Sequence, residues 1–353
     1  MENTVLQTER MIPETRSRFD RNLLEDVAGR DRSPRPTTRN FVRELVTSAR
    51  RNWVREMIDW ARCKSVVHPR VKDVEKAIDA LNLTGEHPFQ RDDESPIFLL
   101  ATGWRSGSTL LQRILSTDPN VLLWGEPLGE MALLPGVTTM LARLAEFPEL
   151  RERCSPDNPA FASLATSWIA TLYPPGGNLR EGLRALTTNW MGNAARQRGF
   201  TRWGLKEVRL GAADATLLHW LYPKAKFILL TRSPYDCYLS LADSGWHHLY
   251  HSRPDIRVDS AAALARHWNR LALSWSELQP EFPAYRIKYE DLVTGKVDFQ
   301  ELGSWLGIRI REEIAISKHI SHTARRRHLG WCQRMIVAHE TREGMRSLGY
   351  SAA

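Results

Sequence analysis

Hydrophobic positions along the chain fall into three regimes. Residues 1–38 are polar, rich in arginine and interrupted by Pro34 and Pro36, so they predict a loosely ordered lead-in. From residue 39 to residue 90 the spacing becomes helical: Phe41, Leu45, Ala49, Trp53, Met57 and Trp60 recur at steps of three or four, and Val71, Val74, Ile78 and Leu81 repeat the stripe. A stripe of that period runs along one side of a helix, which predicts two helices packed on a core rather than a basic nucleic-acid helix. The segment GEHPFQRDDESP, Gly85 to Pro96, has the composition of a linker.

Beyond it, short apolar runs alternate with helical patterns. Ile97 to Thr102 (IFLLAT) ends at Gly103 and predicts a buried parallel strand. Gly107 to Ser116 predicts a helix with Leu110, Leu111, Ile114 and Leu115 inward. Lys226 to Thr231 (KFILLT) is a second buried strand, followed at once by helix-start residues, and Tyr285 to Tyr289 (YRIKY) is a third. Alternation of this kind defines an α/β fold: a central, mainly parallel sheet flanked by helices. The main domain is expected over residues 95–353, after a helical extension at 39–90. Within it, residues 131–199 read as a mostly helical insertion carrying Trp168, Trp190 and the flexible Pro174-Pro175-Gly176-Gly177, expected to cover the ligand cleft.

Composition narrows the partners. The chain has 353 residues, average hydrophobic and charged fractions of 42% and 25%, and a formal charge of +8. A positive balance suits anionic ligands. Basic residues are dispersed, with one tight run at Arg325, Arg326 and Arg327, which argues for local anion sites and against a nucleic-acid stripe. Cys63, Cys154, Cys237 and Cys332 lie far apart without a C-x-x-C pair, so neither a zinc site nor a disulfide framework is expected. The N-terminus lacks a leader pattern and no run spans a bilayer, so no transmembrane segment and a cytoplasmic location are expected. The tryptophan-rich N-terminal helices offer a surface for a homo-oligomer.

Two strand ends carry candidate chemistry. After the first strand comes Gly103-Trp104-Arg105-Ser106-Gly107-Ser108-Thr109, where glycines permit a tight turn and helix-start N–H groups, hydroxyls and Arg105 converge on one spot. Such a loop suits a phosphate or sulfate, and taken alone it reads equally as an ordinary capped turn. It is one residue shorter than a Walker loop, with Ser108 where the Walker lysine would stand, which disfavours magnesium ATP. The second strand ends in Thr231-Arg232-Ser233-Pro234-Tyr235-Asp236, with Ser233 as N-cap, Pro234 at the first helical position and Asp236 placed for a capping box. Arg232 at the strand end and Ser240 two helical turns past the cap are placed to grip one phosphate.

Together these segments resemble the sulfotransferase family that uses 3′-phosphoadenosine-5′-phosphosulfate (PAPS), especially its bacterial, carbohydrate and tyrosyl-protein branches. RSGSTLLQRIL is similar to the family's 5′-phosphosulfate loop and LLTRSPYDCYLS to its 3′-phosphate motif, while KYEDL (Lys288 to Leu292) and ELGSWLGI are similar to further familial segments expected to be structural. The resemblance implies a P-loop-like three-layer fold, PAPS as donor and 3′-phosphoadenosine 5′-phosphate (PAP) as product. It implies cofactor contacts from Arg105, Ser106, Gly107, Ser108, Thr109, Arg232 and Ser240. It further implies Glu126, in LLWGEP, as general base, with Lys206, in WGLKEVRL, and Arg105 stabilising the transferred group. Without it, Glu126 reads as a turn or N-cap residue and Lys206 as a solvated charge at a short strand.

The chain departs from the cytosolic branch: Leu110 stands where that branch has an adenine-stacking tryptophan, and its histidine-base motif is missing. Arg325 to Arg327 read equally as nucleotide contacts or solvated charges. His247, His248 and His251 share a helix face but lack the glutamate of an H-E-x-x-H pattern, so no metal is expected. The acceptor, a hydroxyl of a sugar, lipid, peptide tyrosine or secondary metabolite, is not fixed by the sequence. A P-loop-type small-molecule kinase and a non-catalytic nucleotide- or glycan-binding module are the competing readings.

Overall fold

The computed structural model describes residues 68–82, 94–147, 149–170, 172–244, 258, 260–311 and 329–351. The chain divides into two units, Met1–Asn52 and Trp53–Ala353, and all described residues belong to the second. The polar lead-in, the stripe from Phe41 to Trp60, most of the linker, Cys63, His247, His248, His251 and Arg325 to Arg327 lie outside the described residues.

In chain order, helix α1 (Val71–Asn82) leads to β1 (Ile97–Ala101), α2 (Ser108–Leu115), β2 (Val121–Trp124) and α3 (Pro127–Glu130). Helices α4 (Leu133–Leu144), α5 (Leu150–Arg153), α6 (Gly176–Thr187) and α7 (Asn193–Arg196) follow, with a π-helical turn at Thr188–Gly192 between the last two. Then come β3 (Arg202–Glu207), α8 (Ala212–Leu221), β4 (Lys226–Thr231), α9 (Pro234–Ser244) and α10 (Ala261–Trp275). The described chain closes with β5 (Ala284–Lys288), α11 (Tyr289–Val293), α12 (Phe299–Leu306) and α13 (Trp331–Ser347).

The five strands form one fully parallel sheet in the order β2-β3-β1-β4-β5. Because side chains alternate across a strand, each face receives its own apolar set. Phe98, Leu100, Trp203, Leu205, Phe227 and Leu229 join one core with the buried stripe of α1, with Leu134 and Leu141 of α4 and with Leu217, Leu218 and Leu221 of α8. Leu99, Leu123, Ile228, Leu230 and Ile287 join the other with Leu111, Ile114 and Leu115 of α2, Leu241 of α9, Trp268 of α10 and Val337 of α13. Every residue of β1 is buried, as a central strand covered on both faces requires. The result is a three-layer α/β fold of P-loop-like type, in which a glycine loop joins β1 to the next helix.

The three apolar runs are the expected strands, with one-residue shifts at the end of β1 and at both ends of β5. β2 and the full extent of β3 were not expected. β2 is a four-residue edge strand, and β3 carries Arg202, Lys206 and Glu207, whose charge masks a buried strand in a pattern reading. Lys206 is itself buried, so its reading as a solvated charge is corrected. The 131–199 stretch is helical over α4 to α7, although the described residues of 154–175 hold only a short 3-10 turn, Pro159–Ala162.

Helix α9 also differs from its expected cap. Ser233 Oγ accepts weakly from Asp236 N at 3.5 Å, but the return bond comes from another segment: Ser233 N donates to Glu290 Oε1 at 2.9 Å. The KYEDL segment thus supplies the cap that Asp236 was expected to supply.

Candidate active site

Parallel strands of an α/β sheet present their carboxyl ends to one edge, and the site is built there. Where β1 passes into α2, three residues have positive φ: Gly103 at 114°, Arg105 at 62° and Gly107 at 88°. Left-handed backbone costs a non-glycine residue about 1–2 kcal/mol, so Arg105 needs external support. Two groups from the second motif give it. Arg105 Nε donates to Ser240 Oγ at 3.0 Å, and Arg232 Nη1 donates to the Arg105 carbonyl at 2.8 Å.

Tyr289, the first residue of α11, lies against both motifs. A Cβ on Gly107 would stand 2.1 Å from Tyr289 Cδ2, and the Arg232 guanidinium carbon lies 4.2 Å from the centre of the same ring. The ring therefore excludes any side chain at 107 and offers Arg232 a cation–π seat. From α10, Trp268 Nε1 donates to the Arg232 carbonyl at 2.9 Å.

The loop leaves polar atoms turned inward. Ser106 is fully buried and its Oγ has no hydrogen-bond partner, and Thr102 Oγ1 is in the same condition. Ser108 is buried and Thr109 exposed in the first turn of α2, whose left-handed cap residue, Gly107, makes no side-chain cap. An unsatisfied buried hydroxyl costs about 1–3 kcal/mol, a cost that a phosphate oxygen accepting from Ser106 would remove.

A second cluster stands at the ends of β2 and β3. Glu126 occupies the N-cap position of α3, as the residue-by-residue reading allows, but its side chain makes no cap bond. Instead Lys206 Nζ pairs with Glu126 Oε1 and Arg209 Nη1 with Glu126 Oε2. Lys206 is opposite Leu99 of β1 in the sheet register, so the cluster adjoins the strand that carries the glycine loop.

Trp104 joins the two clusters. It immediately precedes Arg105, and the Arg209 guanidinium lies 4.9 Å from its ring centre. His267 of α10 packs on the same indole, ring centres 4.9 Å apart. Its Nε2 lies 3.1 Å from the Val208 carbonyl and its Nδ1 3.2 Å from Arg270 Nη2. A carbonyl only accepts and a guanidinium only donates, which fixes a neutral ring with the proton on Nε2. Burial first, then the Arg270 charge, hold His267 well below the ordinary histidine range. His267 is a support for this wall.

Beneath Glu126 lies a second carboxyl, Glu207, fully buried at the end of β3. Burial pushes it up to about 8, against the lowering effect of its bond from Gly129 N at 2.6 Å. Gly129 belongs to α3, and a Cβ there would stand 2.3 Å from Glu207 Oε2. Glu207 thereby fixes the short helix that follows Glu126.

Cavities of about 520 Å³ flank this centre. Glu126 lines one together with Trp124, Trp190, Met191 and Arg198. Arg209 lines the other, with Arg70, Arg270 and Ser274.

All the expected site residues therefore fall at one edge of the sheet. Arg105, Ser240 and Arg232 are in direct contact, Glu126 and Lys206 are in direct contact, and Trp104 with Arg209 bridges the two groups. Arg209, Trp104, Tyr289, Glu290, Glu207 and His267 were not singled out from sequence. The signal for Arg209 and Glu207 was present in WGLKEVRL, where three charges crowd a strand end. Cys237 lies on the face of α9 shared with Ser240, and burial pushes its thiol up to about 12, which removes it as a nucleophile. Among the described residues no cluster of His, Cys, Asp or Glu is placed to hold a metal ion, and no described helix is long and apolar enough to cross a membrane.

A parallel α/β sheet with a glycine loop at β1 and cations at neighbouring strand ends defines a class of group-transfer and nucleotide-binding proteins. The sulfotransferase family profile matches residues 96–312, more than half of the chain, and the protein belongs to that family. This membership sets aside the kinase reading. No curated protein matches the chain in sequence. Among solved structures, a sulfotransferase from Alicyclobacillus acidocaldarius is similar at 13% identity and a TM-score of 0.38, covering 72% of this chain and 94% of that one. The sulfotransferase domain of the Synechococcus PCC 7002 olefin synthase is similar at 17% and 0.36, covering 76% and 100%. A sulfotransferase from Mycobacterium avium is similar at 14% and 0.38, covering 80% and 81%.

Proposed function

We propose that the protein transfers a sulfuryl group from PAPS to the hydroxyl of an acceptor, with Glu126 as general base. The observation that carries the reading is the junction of two motifs distant in sequence: Arg105 bonded to Ser240, with Arg232 on the Arg105 carbonyl.

The residues present fit the donor. Ser106 Oγ is buried and unsatisfied, Gly103 and Gly107 give the loop its positive-φ turn, and Arg105 and Arg232 add two cations. Arg105, Ser106, Gly107, Ser108 and Thr109 would hold the 5′-phosphosulfate, and Arg232 with Ser240 the 3′-phosphate. When bound, PAPS supplies a sulfuryl group already activated by its link to phosphate.

The chain's own residues then perform two tasks. Glu126 takes the proton of the acceptor hydroxyl on a lone pair that Lys206 and Arg209 leave open. Lys206 and Arg105 place positive charge where negative charge develops, and Lys206, already buried and held, does so without solvent reorganisation. Trp104, clamped between Arg209 and His267, keeps water from the wall between the two clusters.

The test is purified protein with sulfur-labelled PAPS and a panel of hydroxylated acceptors. Label appearing on an acceptor, together with PAP, is the expected result. PAP binding without transfer to any acceptor would favour a non-catalytic nucleotide-binding module instead.

A further inference from the structure

The cavity beside Glu126 carries more than a position. Its outer wall is Trp190, 41% exposed although it is among the largest apolar side chains of the protein. Trp190 and Met191 sit in the π-helical turn Thr188–Gly192. Such turns interrupt regular helix bonding and concentrate at functional sites. Trp124 lines the cavity as well, and its Nε1 donates to the Met191 carbonyl at 3.1 Å, so indole and π turn hold one another in place. Arg198 closes the rim, its guanidinium 5.7 Å from the Trp124 ring centre and its Nη1 donating to the Ala194 carbonyl at 2.9 Å.

At about 520 Å³ the cavity has the size of a small-molecule site. Two indoles and a methionine make flat, polarisable walls, and Glu126, Glu130 and Arg198 bring charged groups to the same lining. An aromatic ring gains from stacking or edge contact with the two indoles. The base points the same way. Both oxygens of Glu126 already accept from a cation, so an incoming proton must take a remaining lone pair in competition with two neighbouring positive charges. A hydroxyl that gives up its proton readily suits that base, and a phenol does so far more readily than an alkanol.

We infer that this cavity is the acceptor site and that it takes an aryl hydroxyl, with Trp190 as the ring-binding residue. The inference rests on the sulfuryl-transfer reading above and adds the chemical class of the acceptor. Free phenols and tyrosyl side chains share this chemistry.

The experiment is calorimetry on the full chain, with and without PAP, titrating 2-naphthol, its saturated counterpart decahydro-2-naphthol, and a short tyrosine-containing peptide. Wild type, Trp190→Ala and Trp190→Phe are compared. 2-Naphthol is expected to bind wild type about tenfold more tightly than the saturated alcohol. Trp190→Ala should weaken 2-naphthol by about tenfold, Trp190→Phe by no more than about threefold, and neither should move PAP affinity. Tighter binding of the peptide would assign the phenol to a polypeptide, and tighter binding of 2-naphthol to a small molecule. Absence of 2-naphthol binding, equal affinity for the saturated alcohol, or an affinity indifferent to Trp190→Ala overturns the inference. Loss of PAP binding in wild type strikes the sulfuryl-transfer reading instead, and the naphthol titrations without nucleotide still judge the cavity.

Discussion

Arg105, in left-handed backbone after the first strand, donates to Ser240 on a helix 135 residues later, at 3.0 Å. One side chain thus ties the loop proposed for the 5′ end of the donor to the motif proposed for its 3′ end. Arg232 reinforces the tie through the Arg105 carbonyl.

Removing Arg232 should therefore act on nucleotide affinity before anything else. Charge-assisted hydrogen bonds contribute about 1.5–3 kcal/mol, so Arg232→Ala is expected to weaken PAP by roughly tenfold to a hundredfold. Adenosine 5′-phosphate, lacking the 3′-phosphate, should lose less. Calorimetry with the two nucleotides checks this, and equal losses would mean that Arg232 only shapes the loop.

Gly107 is constrained twice, by its φ of 88° and by the Tyr289 ring that a Cβ would meet at 2.1 Å. Gly107→Ala should destabilise the fold by about 1–3 kcal/mol in urea unfolding. Combining it with Tyr289→Ala relieves the overlap, so the double variant should cost less than the sum of the two single changes. Additive losses would place the strain in the backbone alone.

Glu207 makes stability depend on pH with a definite sign. Its pKa rises from the ordinary 4.5 to about 8 on folding, chiefly by burial. Between those values the folded chain keeps a proton that the unfolded chain has released, so stability falls as pH rises through the window and the loss is complete above about 8. Glu207→Gln keeps an acceptor for Gly129 N and has no charge to bury. Its Tm should match wild type near the lower limit and exceed it above the upper one; parallel Tm profiles would contradict the assignment.

How much of this was legible in the sequence differs by layer. β1, β4 and the stripe of α1 were readable because their apolar residues are continuous or evenly spaced. β3 was obscured because Lys206 and Glu207 are buried charges, whose environment is created by the nearby Arg209 and, from other segments, by Glu126 and Gly129. Spacing around strand ends pointed to Arg105, Arg232 and Ser240, which the fold brings into contact. Tyr289 and His267 were not, because a ring under a loop and a buried neutral imidazole leave no periodic trace. Asp236 misled for the same reason: the cap of α9 comes from Glu290, on another element.

Glu126→Gln separates catalysis from binding. The amide retains the shape of the carboxylate but takes no proton, so kcat should fall by about a hundredfold to ten-thousandfold. PAP affinity should stay within about threefold of wild type, since Glu126 faces Lys206 and Arg209 and not the phosphate loop. Equal loss of both would reassign Glu126 to the support of the β2 and β3 ends.

The most direct measurement is the affinity of the purified wild-type chain for PAP, set beside adenosine 5′-phosphate and magnesium ATP. The two joined anion motifs predict PAP binding on the order of micromolar, at least about tenfold tighter than either comparison nucleotide. Binding of all three alike, or of none, would contradict the account.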